Sequence, residues 1–317
     1  YVYIRNDRFT MKPTLEQPAV KFPHFVRKGP RAEDFRIDGV LDRLTEEATE
    51  FVRKAAMGQQ PFFLYMPLTA PHKPTQPAAR FRNRTQLGEY GDFVVQVDWT
   101  VGQVLKALDE SDVAKDTLVV FTSDNGSYMY CYEDDREDHV ADSTVQGFRS
   151  ANHRANGALR GTKADVWEAG HRIPLFVRWP DEVQPGLTCS TTVCLTDLYA
   201  TFAEIVGVKL SAEEAEDSCS LVGLLGGTST ERGAPVVNHS ANGMFAIRDG
   251  RWKLVLGDGS GGRQQPRGKP FQKPYQLFDL EADLSEAKDI AQQHPEIVER
   301  LTDMLEEIRE SGRSVKR

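Results

Sequence analysis

Thr117-Leu118-Val119-Val120-Phe121-Thr122-Ser123-Asp124-Asn125-Gly126 is the stretch from which the fold reads outward. Thr117 to Thr122 is a short apolar run of strand length, the pattern of a strand covered on both faces in a parallel sheet. Asp-Asn-Gly then ends it with turn residues. Immediately upstream, Tyr90, Phe93, Val94, Val97, Val101, Val104, Leu105 and Leu108 recur at helical spacing and mark an amphipathic helix. The same helix-then-strand unit occurs once before. Ile37, Leu41, Leu44, Ala48, Phe51, Val52 and Ala55 form one helix face ending near Gly58, and Pro61 to Leu68 (PFFLYMPL) is a second continuous apolar run. Two such units in succession predict an α/β fold, a mostly parallel sheet sandwiched by helices.

Downstream, Ile173 to Trp179 reads as a third strand and Asp197 to Val206 as a helix stopped by Gly207. Between Gly223 and Gly233 the chain becomes rich in Gly, Ser and Thr, which marks a boundary. Beyond it the pattern turns antiparallel: Phe245 to Arg248 and Trp252 to Leu256 flank Asp249-Gly250, a hairpin signal. A glycine-rich loop, Gly257 to Gly268, precedes a last strand near Gln276 to Leu280. Pro295 then opens a helix carrying Ile297, Leu301, Leu305 and Ile308. The expected division is residues 1–228 for the α/β domain and 229–317 for a small antiparallel sheet plus helix.

The 317 residues, 39% of them hydrophobic, suffice for one large core or one large and one small. A net charge of −8 argues against nucleic acid or an anionic membrane surface as partner, since both need a basic face. No apolar run approaches the roughly 20 residues of a membrane-spanning helix. Cys131, Cys189, Cys194 and Cys219 show neither a CxxC pair nor interleaved His spacing, so no structural zinc site is expected. Tyr1 stands where Met is expected, inside a strand-like run to Arg5, as in a trimmed chain.

In open α/β sheets reactive groups gather beyond the C-terminal ends of strands. After Pro61–Leu68 comes Thr69-Ala70-Pro71-His72-Lys73-Pro74; after Thr117–Thr122 comes Ser123-Asp124-Asn125-Gly126. Before Ile173 lies Leu159-Arg160-Gly161-Thr162-Lys163, continuing to Glu168-Ala169-Gly170-His171-Arg172. Alone, Asp124-Asn125-Gly126 is turn chemistry, His72 a packed loop histidine and Lys163 a solvated lysine. In context, a carboxylate and an amide oxygen at a strand end are hard ligands suited to Ca2+ or Mg2+, though two cannot hold an ion alone. Prolines flanking His72 fix an imidazole where it suits a proton donor. From Gln146 to Arg178 six Arg or Lys face two acids, whereas Tyr132 to Asp142 carries six acids and one Arg. An acidic chain that concentrates cations beside a metal motif is built to hold an anion there.

The order Ala70-Pro71-His72, Thr122-Ser123-Asp124-Asn125-Gly126, then Leu159-Arg160-Gly161-Thr162-Lys163 with Glu168-Ala169-Gly170-His171-Arg172, resembles the sulfatase family of the alkaline-phosphatase-like superfamily. The endings Ala246-Ile247-Arg248-Asp249-Gly250-Arg251-Trp252-Lys253-Leu254 and Tyr275-Gln276-Leu277-Phe278-Asp279-Leu280 are similar too. The resemblance implies that Asp124 and Asn125 ligate a divalent cation, usually Ca2+, with Mg2+ as the alternative. It implies that His72 protonates the departing alcohol and that Lys163 binds the sulfate oxygen bridging to it. Weaker candidates for substrate contact are Lys73, His153, His171, Arg172 and His239. The reaction implied is hydrolysis of a sulfate ester, of a sulfated carbohydrate or aryl sulfate, by a formylglycine hydrate.

Formylglycine arises from the first residue of a C/S-x-P/A-x-R motif, which none of the four cysteines and no serine here supplies. The family's early Asp-Asp metal pair is also absent. Both are expected upstream of Tyr1 in an intact parent, matured by a formylglycine-generating enzyme and placed in the periplasm or outside the cell. The chain alone is then expected to be inactive. Two alternatives stand beside this reading: a phosphoester or phosphonate hydrolase of the same superfamily, and a non-catalytic protein that binds sulfated glycans.

Overall fold

The computed structural model describes residues 1–21 and 24–316. In chain order the strands are β1 (Ile4–Arg5), β2 (Arg8–Phe9), β3 (Leu15–Gln17), β4 (Gly29–Arg31), β5 (Val119–Thr122), β6 (Tyr130–Tyr132), β7 (Gly147–Arg149), β8 (Leu175–Arg178), β9 (Val236–His239), β10 (Phe245–Asp249), β11 (Trp252–Val255) and β12 (Gln276–Asp279). The helices are α1 (Val40–Ala56), α2 (Gly88–Glu110), α3 (Glu168–His171), α4 (Asp197–Ile205), α5 (Val222–Leu225) and α6 (Pro295–Ser311). They form two compact units: residues 1–117 with 131–154, and residues 118–130 with 155–317. That division differs from the boundary expected at residue 228.

In the first unit α1 and α2 pack face to face through the expected apolar positions, Leu41, Ala48 and Val52 against the helix bearing Tyr90, Phe93 and Leu108. Polar pairs bind the same face: Thr45 Oγ1 donates to Thr100 Oγ1 at 3.1 Å and Gln96 Nε2 to Asp42 Oδ1 at 3.0 Å. Asp92 is buried and accepts the backbone N–H groups of Asn83, Arg84 and Thr85 at 2.7 to 3.0 Å, fixing the turn before α2. Pro61–Leu68 departs from expectation. It is extended, alternately exposed and half-buried with the period of a strand, but it joins no ladder among the described residues. Phe63 and Tyr65 are consequently 73% and 77% exposed.

In the second unit β5 pairs with β8 in antiparallel register, Val119 opposite Arg178 and Thr122 opposite Leu175. The parallel order expected from the buried runs is therefore not formed by this pair, and among the described residues Pro61–Leu68 is not a strand of any sheet. The expected small antiparallel sheet is present, ordered β12-β11-β10-β9, and Gly250 at φ +57° makes its hairpin turn. Alternation along its strands gives it two apolar faces. Ile247, Leu254 and Leu277 pack with Leu301 and Leu305 of α6, which begins at Pro295 and ends at left-handed Gly312. Ala246, Val255 and Phe278 pack on the opposite side with Met244, Val166 and Trp167. Each fully buried side chain of this size contributes about 1.5–3 kcal/mol. Val166 and Trp167 follow Lys163 by only a few residues, so this core fixes the lysine segment from behind.

Candidate active site

The site grows from the end of β5. Ser123 Oγ donates to the Asn125 carbonyl at 2.9 Å and Asn125 Nδ2 to the Gly126 carbonyl at 3.1 Å, curling the turn so that Asp124 is exposed and Asn125 half-buried. Gly126 N–H donates to the Gly170 carbonyl at 3.2 Å. The backbones approach so closely that a Cβ on Gly126 would meet the Ala169 carbonyl oxygen at 1.6 Å. Ser127 next pairs with the Asn156 amide through both its N–H and its carbonyl, at 2.8 and 3.0 Å. The same carbonyl accepts the Lys163 N–H at 3.0 Å. One carbonyl thus brings Lys163 to the turn that carries Asp124 and Asn125.

Asp165 shapes the lysine loop. Fully buried, it accepts Thr162 N–H at 2.8 Å on one oxygen, and the N–H groups of Arg263 and Gln264 at 2.5 and 3.1 Å on the other. Gly161 at φ +96° and Ala164 at φ +80° bracket Lys163 in the left-handed region, where a side chain is disfavoured.

Behind the loop lies a buried charge network. Lys253 of β11 places its ammonium 3.0 Å from Glu168 and 2.9 Å from Glu286, and Arg248 contacts Glu168 at 3.2 Å. Burial pushes Glu168 up, but Lys253 and Arg248 outweigh it and hold the carboxyl below its ordinary value. For Glu286 burial prevails over Lys253 and the pKa is raised. Arg160 lies flat on Trp167, 3.6 Å from the ring centroid, and donates to the Glu286 carbonyl at 2.8 Å. Exposed Arg172 reaches the same network, 3.7 Å from Glu168.

His171 is half-buried, and burial, with Lys253 adding to it, lowers its pKa to about 4, so the ring is neutral at pH 7. His239 is exposed at the end of β9, its Nδ1 2.8 Å from the Ser240 carbonyl and its ring 5.6 Å from Phe245. In the second unit, then, Lys163 is tied to the segment that follows Asp124 and Asn125 by one backbone hydrogen bond, to the Ser127 carbonyl. Arg172 is engaged in the network behind them.

His72, Lys73 and His153 belong to the first unit. His72 is exposed, and its Nδ1 lies 2.8 Å from the Lys73 carbonyl, so Nδ1 is the donor in that bond. Lys73 is half-buried. His153 sits edge-on against buried Phe148 at 5.2 Å, and burial lowers its pKa. These are the surroundings of a packing histidine.

Sequence reading passed over Asp165, Lys253, Glu286 and Arg263. A lysine on an otherwise apolar sheet face, as in Trp-Lys-Leu-Val, was the available signal. No three His, Cys, Asp or Glu side chains cluster as a metal site among the described residues. Asp124 and Asn125 fit a hard cation as part of its oxygen shell, not the whole of it.

The family model described as Sulfatase matches residues 13–208, and the chain belongs to the sulfatase family. It is 31% identical over 293 residues to N-acetylgalactosamine-6-O-sulfatase of Bacteroides thetaiotaomicron, covering 89% of this chain and 53% of that protein. It is 35% identical over 211 residues to steryl-sulfatase of Mus musculus, covering 66% of this chain and 31% of that protein. A solved structure concerned with the metabolism of multiple glycosaminoglycans by Bacteroides thetaiotaomicron superposes with a TM-score of 0.76 at 31% identity, over 89% of this chain and 57% of that one. A sulfatase from Pseudoalteromonas sp. shares the fold, with a TM-score of 0.70 at 22% identity, over 90% of this chain and 57% of that one. The fold class is therefore the α/β, alkaline-phosphatase-like one. The chain spans about half the length of the first of these curated relatives and less of the second. No helix among the described residues is long and apolar enough to cross a membrane.

Proposed function

We propose that the intact protein hydrolyses sulfate esters and that Asp124, Asn125, Lys163 and His72 belong to its active site. The observation that supports this is the hydrogen bond from the Lys163 N–H to the Ser127 carbonyl, two residues beyond Asn125, which ties the lysine's backbone to the turn bearing both candidate oxygen ligands. In this reading Asp124 and Asn125 are part of the shell of a Ca2+ ion, or of Mg2+. When bound, the ion supplies positive charge against the sulfate oxygens. Lys163 Nζ binds the oxygen bridging sulfur and the leaving alcohol. His72 Nε2 delivers the proton that the alcohol takes up as the S–O bond breaks. The nucleophile is a formylglycine hydrate, for which this sequence contains no precursor motif, so the reading assigns it to the intact protein together with a formylglycine-generating or sulfatase-maturing enzyme. The substrate class is a sulfated carbohydrate or an aryl sulfate; the first relative is named for a sulfated sugar and the second for a steryl sulfate, and the setting is periplasmic or extracellular.

The test is turnover of 4-methylumbelliferyl sulfate and of the corresponding phosphate by the intact protein and its Lys163→Ala variant. Sulfate turnover that exceeds phosphate turnover and falls by about 100- to 1000-fold in the variant supports the reading. Absence of sulfate release by intact protein loaded with Ca2+ overturns it.

A further inference from the structure

The glycine-rich stretch between β11 and β12 forms a braced strap. Ser260 and Gly261 N–H groups donate to the Pro266 and Arg267 carbonyls at 2.8 and 2.7 Å, and Lys269 N–H donates to Asp258 Oδ1 at 2.8 Å. Its two runs touch so closely that a Cβ on Gly259 would meet the Pro266 carbonyl oxygen at 2.4 Å. Such a strap is pre-organised and loses little entropy on holding a ligand.

Two anchors tie it to the candidate site. Asp165 takes Thr162 N–H on one oxygen and Arg263 N–H on the other, so the Lys163 loop and the strap share one carboxylate. The Arg263 guanidinium donates to the Tyr128 carbonyl at 2.7 Å and lies 4.7 Å from the Tyr130 ring centroid. Lys163 is held on Ser127, the residue just before.

The strap is also cationic in an acidic protein. Between Asp258 and Pro274 stand Arg263, Arg267, Lys269 and Lys273 against the single acid Asp258, and Arg267, Lys269 and Lys273 are exposed. A lone sulfate on an apolar alcohol needs nothing beyond the proposed sulfate site. Further cations on a strap tied to the Lys163 loop fit a substrate whose next unit is charged as well.

We propose that this strap is an anion subsite and Arg263 its specificity-determining residue. It selects an oligosaccharide that carries, beside the scissile sulfate, a carboxylate or second sulfate on the neighbouring sugar. The inference rests on the reading of Asp124, Asn125 and Lys163 as the sulfate site.

The experiment compares kcat/KM of the intact protein for 4-methylumbelliferyl sulfate with kcat/KM for two sulfated disaccharides, one bearing a neighbouring carboxylate and one a neighbouring sulfate. The variants are R267Q/K269Q/K273Q, Arg263→Gln and Arg263→Lys. The ratio of disaccharide to aryl-sulfate kcat/KM falls about tenfold in the triple variant and in Arg263→Gln, through KM, and Arg263→Lys restores part of it. Whichever disaccharide shows the effect identifies the anion recognised. An unchanged ratio for both overturns the subsite while leaving sulfate hydrolysis standing. If the intact protein releases no sulfate, calorimetric titration with the same disaccharides decides: weaker binding by the triple variant supports the subsite although the catalytic reading has failed, and equal binding overturns it.

Discussion

The α-carbon of Gly126 faces the carbonyl of Ala169 so closely that a methyl group there would sit 1.6 Å from the oxygen. Both partners are main chain, so neither yields by a rotamer change. Gly126→Ala is expected to destabilise the protein by about 3 kcal/mol and, on the function proposed above, to reduce sulfate turnover by the intact protein, since the displaced turn carries Asp124 and Asn125. Urea unfolding checks the first effect. A loss below about 1 kcal/mol, within reach of ordinary surface changes, would show that the turn relaxes freely.

Lys253 sits between Glu168 and Glu286 and is 1% exposed. Lys253→Met removes the shared cation and leaves two buried carboxylates facing each other. The expected loss is about 3–5 kcal/mol. Adding Glu286→Gln should recover part of it, because the repulsion then disappears. Chemical denaturation of the single and double variants measures both, and equal stability of the two would refute the coupling.

His171 gives the acid side of the stability profile a definite sign. Its folded pKa, about 4, lies below the ordinary 6.5, so the unfolded chain takes up the proton first as pH falls. The stability held by the neutral ring is whole above about pH 6.5 and drains away between there and pH 4. Melting temperatures of wild type and His171→Asn across that range should converge toward the acid end. A pH-independent gap would contradict the assignment.

Asp197 closes three segments with one carboxylate. It accepts the N–H groups of Cys194 and Cys219 at 2.7 and 2.9 Å and a two-pronged contact from Arg232, whose side chain is 4% exposed. Asp197→Ala leaves that guanidinium with carbonyl partners but no counter-ion and should lower stability by about 3–5 kcal/mol. Asp197→Asn, which keeps one acceptor, should lose less. Thermal unfolding ranks the pair, and the reverse order would disprove the account.

Much of the framework was legible because apolar periodicity is local. The faces of α1 and α2, the short run of β5, the Asp249-Gly250 turn and Pro295 at the start of α6 are each set by residues within a few positions of one another. The candidate trio Asp124, Asn125 and Lys163 was legible through motif order. Pro61–Leu68 shows the limit: its composition predicts extension, which occurs, but pairing requires a partner that composition does not name. Asp165, Lys253 and Glu286 were unreadable for a related reason. A charged residue in a sequence looks solvated until segments far along the chain enclose it, and the Arg263 backbone that Asp165 holds lies in a different sheet connection altogether.

Ala164 occupies a conformation that glycine would adopt without strain, one position after Lys163. Here, then, relief of strain and rigidity pull in opposite directions. Ala164→Gly would relieve backbone strain in the folded chain but loosen the lysine's approach and enlarge the unfolded ensemble. An engineer seeking a hardier protein would be tempted by that position, and the hydrogen bonds that hold the Lys163 N–H and the Ala164 carbonyl are the reason to leave it alone.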